Sequence, residues 1–469
     1  MGGRFFYGRG VTELLPFILI DIVILIAVGL FYLRQSSFFH PLSLYLFFHL
    51  YSFTLRGFEL YSGKYPMYFG LVTSRYYSAV RPEEFVRALI VADIALVLFA
   101  AGCFLAAGVK HVRTAQPFDN NLLIVFLLTL LPASFYFLIS RRFGGEQSEL
   151  LNVQLLLMIG VWPIACIGLA VARWGFKLHW LVLAAIYMFI VGTQGYHRFM
   201  LLLPLILLVG IYLARRRQMW PRTGVWAFLV LVMLAFPVMK TFGQEYNASG
   251  ATAALETATS TAMAAGDDPL VTRTEMFLDQ FAGALTLADG LEAPLLGKSY
   301  LAIVTLPIPR SWWPDKPTLG ETTVAIEAAG RPFTEEGRIV TLIGESYINF
   351  GYVGIALIMP LLGYLLSRFY FKAFAVSALD PYKLAYLALT TTYLQVYRDG
   401  LLSLILFSFI VGFPIYLYAF VNGLMQRARA AGATRWPKAN PTAARRADHW
   451  TSPLGDDSAP VTASKPLQP

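Results

Sequence analysis

Two tryptophans and two cations lie together in a proline-rich segment of the chain, Pro307–Pro317. Four prolines among its eleven residues fix φ and rule out a regular helix, which predicts a stiff, preformed loop. Sugar rings stack on aromatic faces such as those of Trp312 and Trp313, and Arg310 and Lys316 can hold a phosphate group beside them. The alternative is that the tryptophans anchor a re-entrant loop at a membrane surface.

A further cation, Arg198, ends the run Gly195–Arg198 and opens a purely apolar stretch of sequence. If that stretch crosses a membrane, Arg198 lies at its outer boundary. There it either snorkels to lipid head groups or binds a phosphate group. Its neighbour His197 adds a titratable side chain to the same point of the chain.

A carboxylate and an Arg-Asp pair precede two later apolar stretches. Glu345, in Gly344–Gly351, is expected just before a helix N-terminus, where the helix dipole favours negative charge. In partly desolvated surroundings it could instead act as a general base towards a sugar hydroxyl. Tyr397–Gly400 is predicted to be a tight turn, in which Arg398 and Asp399 form a local ion pair or Arg398 contributes to an anion site.

The composition indicates which elements must position these residues. Of the 469 residues, 57% are hydrophobic and 14% are charged, so the chain needs lipid as its solvent. About eleven apolar runs of spanning length begin near residues 11, 41, 84, 121, 152, 178, 199, 224, 349, 383 and 401. A further segment within 57–82 would make the count about twelve. The sequence thus predicts an all-α polytopic membrane protein.

The distribution of basic residues predicts the orientation of these spans. The residues after the last span are basic, so the tail 427–469 is expected to be disordered and cytoplasmic. Successive spans cross the membrane in opposite directions, so the sides of all loops follow from the position of the tail. Residues 1–240 then contain the first eight spans and 340–426 the last three, and the long segment 241–339 lies outside. The net charge of +9 reflects this insertion pattern, and no nucleic-acid binding is expected.

Several basic residues fall on the outer side, where insertion does not explain them. Together they predict a site for an anionic ligand such as a phosphate or pyrophosphate group. They are Arg141, Arg142, Arg198, Arg310, Lys316, Arg331, Arg338 and Arg398.

Other chemistries find no support in the sequence. Cys103 and Cys166 lie in apolar runs without metal-ligand spacing, and the six histidines are scattered, so neither a metal site nor another cofactor is predicted. A phosphate-binding glycine loop, a dinucleotide fingerprint and a nucleophile elbow are all absent from the sequence.

The order of the motifs resembles that of the bacterial O-antigen polymerases, the Wzy-type family of oligosaccharide repeat-unit polymerases. The resemblance spans most of the chain and rests on Tyr196–Arg198, Ile308–Pro317, Glu345–Gly351 and Tyr397–Asp399. It implies a GT-C-like, metal-independent, inverting glycosyltransferase of the bacterial inner membrane. Such an enzyme polymerises undecaprenyl-pyrophosphate-linked oligosaccharides into O-antigen, capsule or exopolysaccharide at the outer face of the membrane. A chain-length regulator and a repeat-unit flippase are its implied partners.

The resemblance also gives the candidate residues their roles. Glu345 is the first choice of base and His197 the second, while Arg198 and Arg310 stabilise the leaving group. The active site is expected at the Pro/Trp-rich end of the long external loop. The residues expected to bind the substrate are His197, Lys316, Arg338, Arg398, Arg141, Trp312, Trp313 and Tyr347.

Two other functions are compatible with the sequence. An O-antigen ligase resembles the polymerases in topology and differs in its acceptor. A transporter of lipid-linked oligosaccharide is the second alternative, because Asp21 and Asp93 lie inside apolar runs, where carboxylates are often functional. The structural explanation for Asp21 is that it is neutral or paired with a membrane-buried arginine such as Arg56.

Overall fold

The structure of the protein is a computed structural model. It describes residues 13–33, 37–62, 82–143, 161–193, 199–227 and 341–435, with parts of the segment between them, namely 242, 245–246, 249–250, 252–257, 259–260, 277–289, 291, 293–305, 308 and 312–315. The chain divides into two compact units, Met1–Asn422 and Gly423–Pro469. In the second unit, the described residues are the end of the last helix.

The described residues form helices and no strands. In chain order the helices are α1 (Leu14–Leu33), α2 (Pro41–His49), a π-helical turn (Leu50–Thr54), α3 (Leu55–Ser62), α4 (Pro82–Ala107), α5 (Asn120–Phe143), α6 (Trp162–Trp174), α7 (Leu178–Thr193), α8 (Phe199–Arg216), α9 (Phe277–Asp289), α10 (Lys298–Val304), α11 (Thr341–Phe374), α12 (Pro381–Thr390), α13 (Tyr393–Asp399) and α14 (Leu401–Arg435). Their buried apolar residues form two main clusters. One comes mainly from α1–α4, α9, α11 and α13, and the other mainly from α5–α8, α12 and α14.

Four of the described helices are long and apolar enough to cross a membrane: Leu14–Tyr32, Glu83–Ala107, Asn120–Ile139 and Thr341–Phe374. Their outward faces carry large apolar side chains, with Val23 64% exposed, Phe31 72% and Leu357 64%. In water such helix faces would be large exposed apolar patches that promote aggregation, whereas lipid tails solvate them. The fold is therefore that of an all-α membrane protein.

Several helices begin close to the predicted starts of the spans. Spans were expected to begin near residues 11, 84 and 121, and α1, α4 and α5 begin at Leu14, Pro82 and Asn120. The run near residue 383 differs, because it is divided into the short helices α12 and α13. Most of the run near residue 224 lies outside the described residues, and the total number of spans remains a prediction.

Helices α4 and α11 approach each other through glycines. A Cβ atom at Gly102 would overlap the carbonyl oxygen of Pro360, and one at Gly363 would overlap that of Phe99. Small residues allow such backbone contact between helices in a membrane, where van der Waals packing drives association. The contact holds α11 in place against α4.

Helix α9, from the long segment, belongs to the helical core. Phe281 and Leu285 are fully buried, and the Asp279 carboxylate accepts two hydrogen bonds from the buried Arg56 guanidinium, at 2.8 and 3.1 Å. Arg56 thus pairs with Asp279 rather than with Asp21, so of the two structural explanations for Asp21 the pairing with Arg56 was wrong. This bidentate ion pair fixes α9 to α3.

Candidate functional site

Glu345 lies in the first part of α11, which ends at a break in the helix. Gly351 has φ 63° and ψ −149°, a backbone conformation that glycine adopts without strain, and it separates Thr341–Phe350 from the longer part of α11. The side chain of Glu345 is buried. The motif Gly344–Gly351 therefore forms the end of a short helix, Thr341–Phe350, and the break that separates it from the longer one.

The carboxylate of Glu345 has two hydrogen-bond donors from other parts of the fold. Its Oε2 accepts from the backbone N–H of Leu401 at 2.6 Å, and its Oε1 accepts from the hydroxyl of Ser299 at 3.2 Å. Leu401 is the first residue of α14. The expectation that Glu345 precedes the N-terminus of its own helix was wrong, because it lies inside α11 and caps the N-terminus of α14 instead.

Gly400 makes this approach of the carboxylate possible. It joins α13 to α14 with φ 96°, and a Cβ atom there would overlap the Glu345 carboxylate. Only glycine combines this dihedral angle with the missing side chain. The sequence motif of Tyr397–Gly400 and that of Glu345 thus meet in space, although more than fifty residues separate them along the chain.

Asn349, one helical turn after Glu345, connects the carboxylate to the segment before α10. Its Nδ2 donates to the Ser299 hydroxyl at 2.8 Å and to the Glu345 carbonyl oxygen at 2.8 Å. Its Oδ1 accepts from the N–H of Gly297 at 3.1 Å. Ser299 is therefore held by Asn349 and donates in turn to Glu345, so the carboxylate has a defined orientation among uncharged partners.

The segment around Arg398 is helical. Tyr397, Arg398 and Asp399 form the last turn of α13, so the predicted tight turn was wrong except at Gly400. The Arg398 Nε lies 3.2 Å from an Asp399 carboxylate oxygen, and the guanidinium lies 5.8 Å from the centre of the Phe277 ring. Tyr397 is buried and donates to the carbonyl oxygen of Pro41 at 3.0 Å. These contacts place a cation on the turn of α13 that precedes the Glu345 contact.

A second polar cluster that sequence reasoning missed lies around Tyr347. The Tyr347 hydroxyl donates to Asp289 at 2.7 Å and accepts from Arg87 at 2.6 Å, while Arg87 also pairs with Asp289 and donates to Tyr352 at 2.9 Å. Partial burial raises the pKa of Asp289, but the hydrogen bonds from Arg87 and Tyr347 outweigh it and lower the pKa. The signal in the sequence that could have indicated this cluster is the polar start of α4, where Glu83 and Glu84 are followed by Arg87.

The remaining predicted site residues are only partly described. Trp312 is 81% exposed and Trp313 38%, so neither ring is packed into the core. Arg141 lies in the last turn of α5, and its side chain is outside the described residues. The other predicted site residues, His197, Arg198, Arg310, Lys316 and Arg338, also lie outside the described part of the chain.

The described geometry defines a buried, oriented carboxylate at the N-terminus of α14, and Arg398, paired with Asp399, ends the preceding helix α13. A carboxylate of this kind can accept a proton from a hydroxyl group brought next to it. Comparison of the chain with protein-family models, with curated proteins and with solved structures finds no match.

Proposed function

We propose that the protein is a membrane glycosyltransferase that polymerises lipid-linked oligosaccharide repeat units, as the Wzy-type resemblance implies. The observation that carries this proposal is the contact between Glu345 and Gly400–Leu401. It brings together two of the four motifs on which the resemblance rests. A carboxylate and a cation from separate motifs are what a glycosyl transfer from a pyrophosphate carrier requires.

The reaction joins a growing chain to the next repeat unit. A hydroxyl oxygen of the incoming unit forms a bond to the anomeric carbon of the growing chain, and the bond from that carbon to the lipid pyrophosphate breaks. The pyrophosphate leaves with the electron pair, and the hydroxyl proton passes to the base. Attack from the face opposite the leaving group inverts the anomeric configuration.

Glu345 is our candidate for that base, with His197 as second choice. The Leu401 N–H and the Ser299 hydroxyl orient the carboxylate, and its described hydrogen-bond partners carry no charge. Its position among uncharged groups supports a role in proton transfer, because a basic partner would hold the carboxylate ionised and weaken it as a base.

The outer-face cations are our candidates for stabilising the leaving group. Negative charge builds on the pyrophosphate as its bond to the sugar breaks, and preorganised Arg and Lys side chains offset it. Arg198 and Arg310 are the two cations to which we assign the main part of this stabilisation. The distribution of positive charge supports an outer-face site, and the Wzy-type resemblance implies the bacterial inner membrane. We assign the substrate-binding roles to Lys316, Arg338, Arg141 and Arg398 for phosphate and to Trp312, Trp313 and Tyr347 for sugar.

The replacement Glu345→Gln tests this proposal in cells that depend on the protein for their surface glycan. Glutamine keeps the size of the side chain, and its carbonyl oxygen can still accept from Leu401, but it is a far weaker base. We expect polymer formation to fall by about 10²–10⁴-fold, the usual contribution of a general base. Glu83→Gln is the matched control, because Glu83 is an exposed residue at the start of α4 outside the proposed site.

The length of the accumulating lipid-linked glycan distinguishes the polymerase from a ligase. Loss of a polymerase leaves single repeat units on the lipid, whereas loss of a ligase leaves long chains. Full-length polymer from stably expressed Glu345→Gln, Arg198→Ala and Arg310→Ala proteins would refute the assignment.

A further inference from the structure

Three ionisable residues meet in the core of the described helices, outside the proposed glycosyltransferase site. Asp21 lies in the middle of α1, His49 ends α2, and Asp93 lies in α4. The Nε2 atom of His49 is 3.0 Å from Asp21 Oδ1 and 3.4 Å from Asp93 Oδ1. One ligand atom from each residue lies within 4.8 Å of the other two. Sequence reasoning could not assemble this group, because the three residues are far apart along the chain.

The group is buried and incompletely hydrogen-bonded. Asp21 and His49 have no exposed surface, and Asp93 is 5% exposed. Asp21 Oδ2, Asp93 Oδ1 and His49 Nδ1 all lack a hydrogen-bond partner. A buried polar atom without a partner is costly, and native proteins keep few of them without a reason such as a bound ion. Both carboxylates thus keep an oxygen with capacity for a further ligand, whereas His49 Nδ1 lies on the other side of the ring from Nε2 and cannot bind the same ion.

The charges of the group also need compensation. Among the described residues, His49 is the ion-pair partner of both carboxylates, and no arginine or lysine pairs with either. Two carboxylates in an apolar helical core cannot both remain ionised without positive charge beside them. Either two protons or one divalent cation would balance them. A divalent cation would leave the imidazole neutral, which is the form of histidine that binds metals.

The two distances from His49 Nε2 are compatible with a shared metal ion. Two ligands that are each about 2.1 Å from one ion are separated by about 3.0 Å at a right angle and about 3.4 Å at the tetrahedral angle. The two separations of His49 Nε2 from the carboxylate oxygens, 3.0 and 3.4 Å, lie in this range, and 3.0 Å is also an ordinary hydrogen-bond length. A hydrogen bond from one Nε2–H explains only the shorter separation, since 3.4 Å is long for a hydrogen bond.

The backbone after His49 is irregular in the same place. The π-helical turn Leu50–Thr54 follows His49 directly, and the hydroxyls of Ser52 and Thr54, both buried in this turn, also lack hydrogen-bond partners. π-Helical turns are rare in proteins, and many of those that occur lie at functional sites. The turn that follows the imidazole in the chain thus carries two further buried oxygen atoms without hydrogen-bond partners.

We propose that Asp21, His49 and Asp93 bind one divalent transition-metal ion of the Zn²⁺ class. One imidazole nitrogen and two carboxylate oxygens form a mixed donor set that such ions accept. The ion neutralises the two carboxylates and cross-links α1, α2 and α4. The site has no part in the proposed glycosyl transfer, so either proposal can fail without the other.

Elemental analysis of the purified protein tests the site directly. The full-length chain is purified in detergent without chelator and with a tag that contains no histidine. We expect about one equivalent of a divalent transition metal per chain, because metal and fold assemble together. His49→Gln and Asp93→Asn should lose it, while His111→Gln and Asp289→Asn, matched changes elsewhere in the chain, should keep it.

A second measurement uses only the wild-type protein, so its outcome does not depend on whether a variant folds. Wild-type protein produced in zinc-depleted medium is titrated with Co²⁺ alone, and we expect visible absorption bands that saturate near one equivalent and disappear on addition of Zn²⁺. Wild-type protein with less than about a tenth of an equivalent of metal and no Co²⁺ bands would overturn the proposal. Equal metal content in well-folded His49→Gln protein would overturn it too.

Discussion

At the scale of single residues, Glu345 shows which part of a site a sequence can reveal. Its place in a polar motif before an apolar run marked it as a candidate, and Asn349 stands one helical turn later in the same motif. The partners Leu401 and Ser299 come from other elements. No local pattern encodes them, because the distances depend on how α10, α11 and α14 are packed.

Asp289 provides a test of pH dependence at this scale. Because its pKa is lowered in the fold, the unfolded chain binds the proton more readily. The stabilisation is thus complete above the ordinary aspartate pKa of about 3.9 and is lost as the pH falls through the lower folded value. We expect Asp289→Asn to lower the thermal stability of the detergent-solubilised protein at pH 7 and to have little effect at low pH.

Equal destabilisation by Asp289→Asn at both pH values would contradict that expectation, because the effect would then not depend on the ionised carboxylate. Asn120, which accepts a hydrogen bond from Arg173 at 2.7 Å on another pair of helices, gives the control variant Asn120→Ala. Its effect should not change with pH in this range, since no carboxylate takes part in the contact.

At the scale of elements, the contact between α4 and α11 depends on glycine. We expect Gly102→Ala to destabilise the protein by about 1–3 kcal/mol, because the added methyl group overlaps the backbone of Pro360 and must push α11 away. Thermal unfolding in detergent measures the effect. Gly108→Ala, just after α4, is the matched control, since its Cβ atom would make only an ordinary contact at 3.6 Å. A Gly102→Ala protein as stable as the wild type would show that the two helices are not in close contact.

The elements also show where sequence reasoning stops. Long apolar runs predicted α1, α4 and α5 to within a few residues, because the length and hydropathy of a span are local properties. The buried helix α9 was missed, although Phe277, Phe281 and Leu285 follow helical spacing. Its charged and small residues lower its hydropathy, and its burial depends mainly on packing against α4 and α11.

At the scale of the whole molecule, the positive-inside rule predicts that the long segment is outside and the tail is inside. We expect Trp312→Cys to react in intact cells with a maleimide that does not cross membranes. Arg429→Cys should react only after the membrane is permeabilised. The background from the native cysteines should be low, because Cys103 and Cys166 are both buried. Labelling of Arg429→Cys in intact cells would contradict the predicted orientation.

Composition and the length of the apolar runs predicted the helical membrane fold, since so many apolar residues require lipid around them and each run is long enough for a helical span. The arrangement of the polar residues inside it was not predictable in the same way. Asp21 was considered with Arg56, but the fold pairs Asp21 with His49 and Arg56 with Asp279. Each charged residue had several possible partners in the sequence. The packing of helices that are far apart along the chain determines which of these pairs form.

The central claim is that the protein polymerises lipid-linked oligosaccharides with Glu345 as the base. Purified protein in detergent or liposomes, supplied with defined undecaprenyl-pyrophosphate-linked repeat units, tests it most directly. We predict a ladder of lengthening products from the wild type and from Glu83→Gln, and a rate lower by about 10²–10⁴-fold from Glu345→Gln. Repeat units that remain single with the folded wild-type protein, or an unchanged ladder from Glu345→Gln, would contradict the claim.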